Sequence, residues 1–240
     1  MTTRAEMLDR VRAALGRSQS GQEVPPLPPL DFAGIMPPLS PEDYLAKFES
    51  EWEKVSGVAH RVTSLGELDA VFQKILVPAD THSVALSRNP LLAELHLADR
   101  LHALNRFVTS WADDSGAMGA ESLVDFNKAA FMAGAGITGV DFVLAESGTL
   151  VLSSQTEGAQ VVSLAPPIHV ALYRRSQLVG SLEEVLAKLP VSTSPDHASP
   201  GRSVVFVTGT SRTADIEQIL IRGVHGPGEN HAILLEDGCR

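Results

Sequence analysis

A chain of 240 residues that is 44% hydrophobic can bury a full core, which excludes global disorder. Its formal net charge of −10 argues against nucleic acid as a general partner, because phosphate backbones repel such a surface. A single cysteine, Cys239, excludes an internal disulfide framework and a four-thiolate iron–sulfur or zinc site.

The first ten residues carry acids and no apolar core, so no signal peptide is expected. No run of about 18 apolar residues is present to span a membrane. Together with the cysteine usage, this predicts a cytoplasmic protein. Aromatics make up only 5%, so the core must be built from Leu, Val, Ile and Ala, a composition suited to parallel or mixed sheets covered by helices.

Residues 3–15 have Met7, Leu8, Val11 and Leu15 at helical spacing, and Gly16 ends the pattern. Residues 17–40 hold six prolines and little periodicity, which predicts an extended arm. It is either a loose tail or a strap that packs on a partner subunit, a second copy of the chain included. The expected division is therefore an N-terminal helix and arm over 1–40 and one domain over 41–240. Ser40-Pro41-Glu42-Asp43 is a helix start, and that helix should run to about Val55. Strand and helix then alternate: strand 58–62, helix 65–76, strand 83–86, helix 90–95, strand 107–110 and helix 121–133. The second half is richer in β signal, with strands expected at 141–145, 148–154, 161–164 and 168–173. Helix 182–189, a polar loop over 191–202, strand 203–208, helix 213–221 and strand 231–236 complete the chain. The interleaving predicts an α/β fold with a β-rich insertion.

Three places carry candidate chemistry. In Phe142–Leu152 two apolar runs flank Glu146-Ser147-Gly148-Thr149, a strand reversal in which Gly148 supplies the awkward dihedrals. Glu146 at that tip is either a partly desolvated base or nucleophile or an ordinary turn acid. In 203–217 a strand leads through Gly209-Thr210-Ser211-Arg212-Thr213 into an expected helix. The free N–H groups of a helix start, with Arg212 beside them, would take a carboxylate or phosphate at Ser211, Arg212 and Thr213. Equally, Ser211 or Thr213 simply caps the helix. The loop Arg222–Glu229 holds His225, either an acid–base group or an exposed histidine in a tight connection.

Two further signals do not stand. Gly134-Ala-Gly136-Ile-Thr-Gly139 has the G-x-G-x-x-G spacing, but it follows a helical stretch and precedes a strand, the reverse of a dinucleotide site. Its glycines are expected to turn the chain into the 141–145 strand. The eight histidines are scattered, and no acid–histidine cluster has metal spacing.

Gly136–Thr149, Leu164-Ala-Pro-Pro-Ile-His169, and Gly209–Glu217 with Gly223-Val-His-Gly-Pro227 together resemble the LUD domain, and within it the lactate utilization protein C family. The resemblance covers roughly 40–237 and is most specific over 134–227. Ser147 and Val140 depart from the commoner Thr and Ala. The resemblance implies a three-layer α/β/α fold of the ribose-5-phosphate isomerase and CoA-transferase type. It makes Glu146 an analogue, by position, of the CoA-transferase nucleophile. It implies a component of bacterial L-lactate oxidation to pyruvate, acting with lactate utilization proteins A and B. Those partners would carry the iron–sulfur centres, with no cofactor in this chain, and a small carboxylate would bind near Glu146, Gly148, Thr149, Arg212 and His225. Two other roles stay open: a stand-alone enzyme acting on CoA or a sugar phosphate, and a non-catalytic assembly subunit.

Overall fold

The computed structural model describes residues 3–14, 39–111, 120–189, 203–214 and 220–239. Contacts divide the chain into two units, Met1–Pro38 and Leu39–Arg240. In the first, α1 (Arg4–Ala14) is a helix with no buried residue. The expected arm lies almost wholly outside the described residues, as does the polar loop at 191–202.

The second unit opens with α2 (Pro41–Lys54), whose start is chemically explicit. Ser40 accepts from the Asp43 N–H at 3.1 Å, and Pro41 occupies the first turn, where no N–H is needed. Leu45, Phe48 and Trp52 recur at helical spacing and are fully buried. Strand β1 (Gly57–Val62) and helix α3 (Leu65–Leu76) follow. Ser64 caps α3 from the Glu67 N–H, while the Glu67 carboxylate accepts from the Thr63 N–H at 2.7 Å. Next come β2 (Ser83–Leu86), two short helices α4 (Pro90–Glu94) and α5 (Leu97–Ala103), then β3 (Phe107–Ser110), α6 (Ala120–Met132) and β4 (Ala135–Thr138). The chain continues through β5 (Phe142–Leu144), β6 (Thr149–Ser153), the single turns α7 (Ser154–Glu157) and α8 (Val161–Leu164), and β7 (Ile168–Arg174). It ends with β8 (Leu178–Val179), α9 (Leu182–Lys188), β9 (Val204–Val207), β10 (Arg212–Ala214), β11 (Leu220–Arg222) and β12 (Glu229–Leu235).

Among the described residues, six strands form one sheet in the order β1-β12-β7-β4-β2-β3, with every neighbouring pair parallel. Alternation along the strands divides its two faces. Ile168, Val170, Leu172, Ile233 and Leu235 pack under α3, α4 and α5 with Leu68, Phe72, Leu92 and Leu101. Ala171, Tyr173, Ala232 and Leu234 face α2 and the inner residues Val143, Leu150 and Leu152 of a second sheet. On the same side, Phe126 and Ala130 of α6 and Val162 of α8 cover Ala85. The second sheet, β8-β5-β6-β9, mixes parallel and antiparallel pairs and is the β-rich insertion. Val185 of α9 packs with Leu144, Val151 and Val179 of that sheet. No helix among the described residues is long and apolar enough to cross a membrane.

Several local expectations are corrected. Val161–Leu164 is a helical turn, not a strand: a four-residue apolar run carries no period, and here Val162 packs against α6 and Ala85. The helix expected at 213–221 is absent where it is described, since Arg212–Ala214 pairs antiparallel with Leu220–Arg222. Thr213 suits a strand as well as a cap, so tertiary pairing decided. Gly134–Gly139 does not turn the chain into β5 but brackets a strand of its own, β4, between β2 and β7.

Candidate functional site

After β2 the chain moves outward through α4 and α5 to β3, and after β4 it moves the opposite way, to β7. Such a reversal leaves a crevice outside the carboxyl ends of the two strands, where parallel sheets hold ligands. A cleft of about 490 Å³ lies on the β3 side of this crevice, at the carboxyl ends of β2 and β3, lined by Ser87, Arg88, Asn89, His96, Ser110 and Trp111 among others. Two larger grooves, about 610 and 860 Å³, hold acids only on exposed side chains or, for Glu49, in an ion pair with Arg61.

Behind the cleft floor sits Glu157, only 1% exposed. Ser87 Oγ donates to its Oε2 at 2.6 Å, and the Gly139 N–H donates to the same oxygen at 3.1 Å. Asn89 Nδ2 donates to Oε1, while Asn89 Oδ1 accepts from the Leu91 N–H at 3.0 Å and so caps α4. Both ends of the Asn89 amide are therefore fixed. A Cβ on Gly139 would lie 2.2 Å from Asn89 Cγ, so the close approach of β4 to this amide requires glycine. Thr156 Oγ1 stands 3.4 Å from Glu157 Oε1 and 3.1 Å from both oxygens of Asp141, which also accepts from the Ser153 N–H at 2.5 Å.

Burial pushes the Glu157 carboxyl up to about 7; the hydrogen bonds from Ser87 and Asn89 oppose this, and the nearby Asp141 charge adds to it. Asp141 is likewise raised by burial, against its hydrogen bonds from Ser153 and Thr156. Among the described residues that line the cleft, Arg88 carries the positive charge, with Nη2 held at 2.6 Å by the Gln155 carbonyl. The arrangement is a proton-holding acid one hydroxyl away from a cleft that also contains a guanidinium.

The sequence-derived site residues fall elsewhere. Glu146 is half-buried, and its Oε1 accepts from the Leu182 N–H at 3.0 Å, so the carboxylate stabilises the start of α9. Gly148 has φ +60 and lies against the backbone of Trp52, as a strand reversal there requires. Thr149 Oγ1 meets Thr208 Oγ1 at 2.8 Å. Ser211 exchanges backbone bonds with Pro227 and Gly223, both at 3.0 Å, and Arg212 Nη2 donates to Ser56 Oγ at 2.9 Å. The hairpin turn thus meets the 208–212 segment, which in turn meets the His225 loop. Among the described residues, however, no hydrogen bond or ion pair joins Glu146 to Arg212 or to His225, and His225 is exposed. With Arg212 and Thr213 in a strand, the helix-start N–H groups that motivated an anion site at Ser211–Thr213 are not there. Glu146→Gln keeps an acceptor at the α9 start and should change stability by less than about 1 kcal/mol in thermal unfolding.

Two further histidine clusters are internal. His169, fully buried and held by burial at about 4, shares a 2.9 Å hydrogen bond with Thr138 Oγ1. His60 Nε2 and His231 Nδ1 are 3.1 Å apart. Among the described residues, no group of three or more metal-binding side chains converges.

Glu157 was missed because nothing near it in sequence marks it. Its partners lie 70, 68 and 18 residues away, at Ser87, Asn89 and Gly139. The usable signal was Ser87-Arg88-Asn89-Pro90, a polar stretch with a helix start directly after a buried strand, at the edge where parallel sheets bind ligands.

The LUD domain model matches residues 45–235. A lactate utilization protein C of Geobacillus thermodenitrificans is 27% identical over 241 residues, 98% of this chain and 96% of that one. One from Oceanobacillus iheyensis is 29% identical, over 93% and 94%. One from Halalkalibacterium halodurans is 39% identical over 102 residues, and in that alignment the chain spans only 44% of its relative's length. In structure, a DUF162 family protein from Deinococcus radiodurans superposes with a TM-score of 0.56 at 22% identity, over 82% of this chain and 99% of that one, a likeness of fold. With most of its length, and both the sheet and the cleft behind it, inside the matched region, the chain belongs to the LUD domain family.

Proposed function

We propose that this chain is a cytoplasmic component of a bacterial L-lactate utilization system, acting with the iron–sulfur proteins A and B in the oxidation of L-lactate to pyruvate. The observation that carries this reading is the alignment of 98% of the chain with a protein described as lactate utilization protein C. Oxidising lactate to pyruvate removes two electrons and two protons. One buried cysteine, Cys239, cannot ligate a cluster, so the electrons are assigned to the partners. What this chain offers is a place for a small carboxylate: the cleft at the ends of β2 and β3, with Arg88 as counter-charge.

The test is L-lactate oxidation by a strain lacking this gene, complemented with the tagged wild-type chain. Oxidation should be lost on deletion and restored by the chain, and A and B should co-purify with it. If deletion leaves lactate oxidation intact, or wild type restores nothing, the reading is wrong.

A further inference from the structure

We propose that the cleft binds a small 2-oxo or 2-hydroxy carboxylate together with one proton, which settles on Glu157 and turns the Ser87 hydroxyl from Glu157 toward the ligand's C2 oxygen. The inference rests on the carboxylate reading of the cleft given above.

The geometry makes Ser87 a reversible donor. With Glu157 ionised, the Ser87 O–H is spent on Oε2 at 2.6 Å. With Glu157 protonated on that oxygen, the carboxyl O–H donates to Ser87 Oγ instead, and the serine proton is released to point elsewhere. Ser87 lines the cleft, so the direction open to it is toward a bound molecule. The Glu157 side chain cannot swing out to do this itself: it is 1% exposed and held by Asn89 and Gly139. One proton is taken up from solvent, and no covalent bond to carbon changes.

The charges around the pair favour this coupling. Asp141 faces Glu157 from the β4–β5 link, and Arg88 lies one residue from Ser87. His96 and Asp99 line the far side of the cleft. A carboxylate anion paired with Arg88 adds a third negative charge near Glu157 and Asp141, in a poorly solvated place, so protonation of Glu157 relieves it. Burial already holds that carboxyl near neutrality, which makes the cost of protonation small at pH 7. The C2 oxygen is the feature that selects the ligand class. A simple monocarboxylate such as propionate can use Arg88 but has nothing to accept the turned serine hydroxyl.

The experiment is calorimetric titration of the full chain with pyruvate at pH 7, in two buffers of different ionisation enthalpy. Wild type should take up roughly half a proton per pyruvate bound, and affinity should fall about tenfold per pH unit above pH 8. Glu157→Gln should bind pyruvate with no proton uptake and no pH dependence from 6 to 8.5. Ser87→Ala should bind pyruvate about tenfold more weakly than wild type, with propionate affinity unchanged, and serves should the glutamine variant not fold. Absence of pyruvate binding at millimolar concentration, absence of proton uptake in wild type, or uptake that persists in Glu157→Gln overturns the proposal. Because complementation by the intact gene reads the lactate role without reference to proton linkage, failure here leaves that role standing.

Discussion

Glu157→Ala is expected to lower the unfolding free energy by about 3–5 kcal/mol, read as a shift of the urea midpoint at constant slope. The carboxylate accepts from Ser87 and Asn89, on the buried segment after β2, and from Gly139, buried just after β4. Removing it leaves three buried donors without an acceptor, each worth about 1–3 kcal/mol, with water entering the gap recovering part of that. A midpoint unchanged within error would mean that these segments do not depend on the acid.

The pH dependence is a second readout of the same residue. Burial raises the Glu157 carboxyl from its ordinary 4.5 to about 7 in the folded chain. Between those values the folded state binds the extra proton, so the stabilisation is fully present below about 4.5 and is lost as pH rises through about 7. The amount is about 3 kcal/mol. His60 and His169 work in the opposite sense. Burial lowers both to about 4, so between there and 6.5 the unfolded chain binds more protons and stability rises with pH. Subtracting the curve of Glu157→Gln from that of wild type removes the histidine contribution. The difference should fall with pH across 4.5–7 and then level off.

Gly136→Ala should be the more damaging substitution, costing more than about 4 kcal/mol and lowering Tm by at least about 10 °C. Gly136 lies inside β4, opposite Ala85 on one side and His169 on the other. An added Cβ would sit 1.9 Å from the Val162 carbonyl oxygen and 2.9 Å from its carbon. Both neighbours are backbone in the α8 turn, so no side chain can swing away, and the turn or the sheet must move. Gly66→Ala is the control: nothing lies within 4 Å of its Cβ, and within α3 it should be neutral or slightly stabilising.

Gly136 also marks where the sequence misleads. A glycine-rich stretch after a helix reads as a turn, yet it is a strand whose glycine admits the α8 turn, a contact invisible without tertiary structure. Elements with explicit chemistry at their ends were legible. Ser40-Pro41 and Ser64 open α2 and α3, and helix 65–76 and strands 83–86 and 107–110 match the expected bounds. Short segments without a clear period were not: Val161–Leu164 and Arg212–Ala214 took the structure their neighbours imposed. The same holds for the site. Glu146 stands out in sequence at a strand reversal, but its oxygen is engaged by a helix start 36 residues on. Glu157 stands out only once β2 and β4 lie side by side and bring Ser87, Asn89 and Gly139 to it. The family motifs over 134–227 were readable as a resemblance, and the domain match over 45–235 extends well beyond them.

The most direct test sets the two candidate sites against each other in the living system. A strain lacking this gene would be complemented with Ser87→Ala or with Glu146→Gln at matched soluble levels, and L-lactate oxidation measured. A site at the ends of β2 and β3 predicts that Glu146→Gln restores oxidation and that Ser87→Ala falls to about a tenth of wild type or below. Full restoration by Ser87→Ala with failure of Glu146→Gln would contradict it and place the chemistry at the hairpin turn.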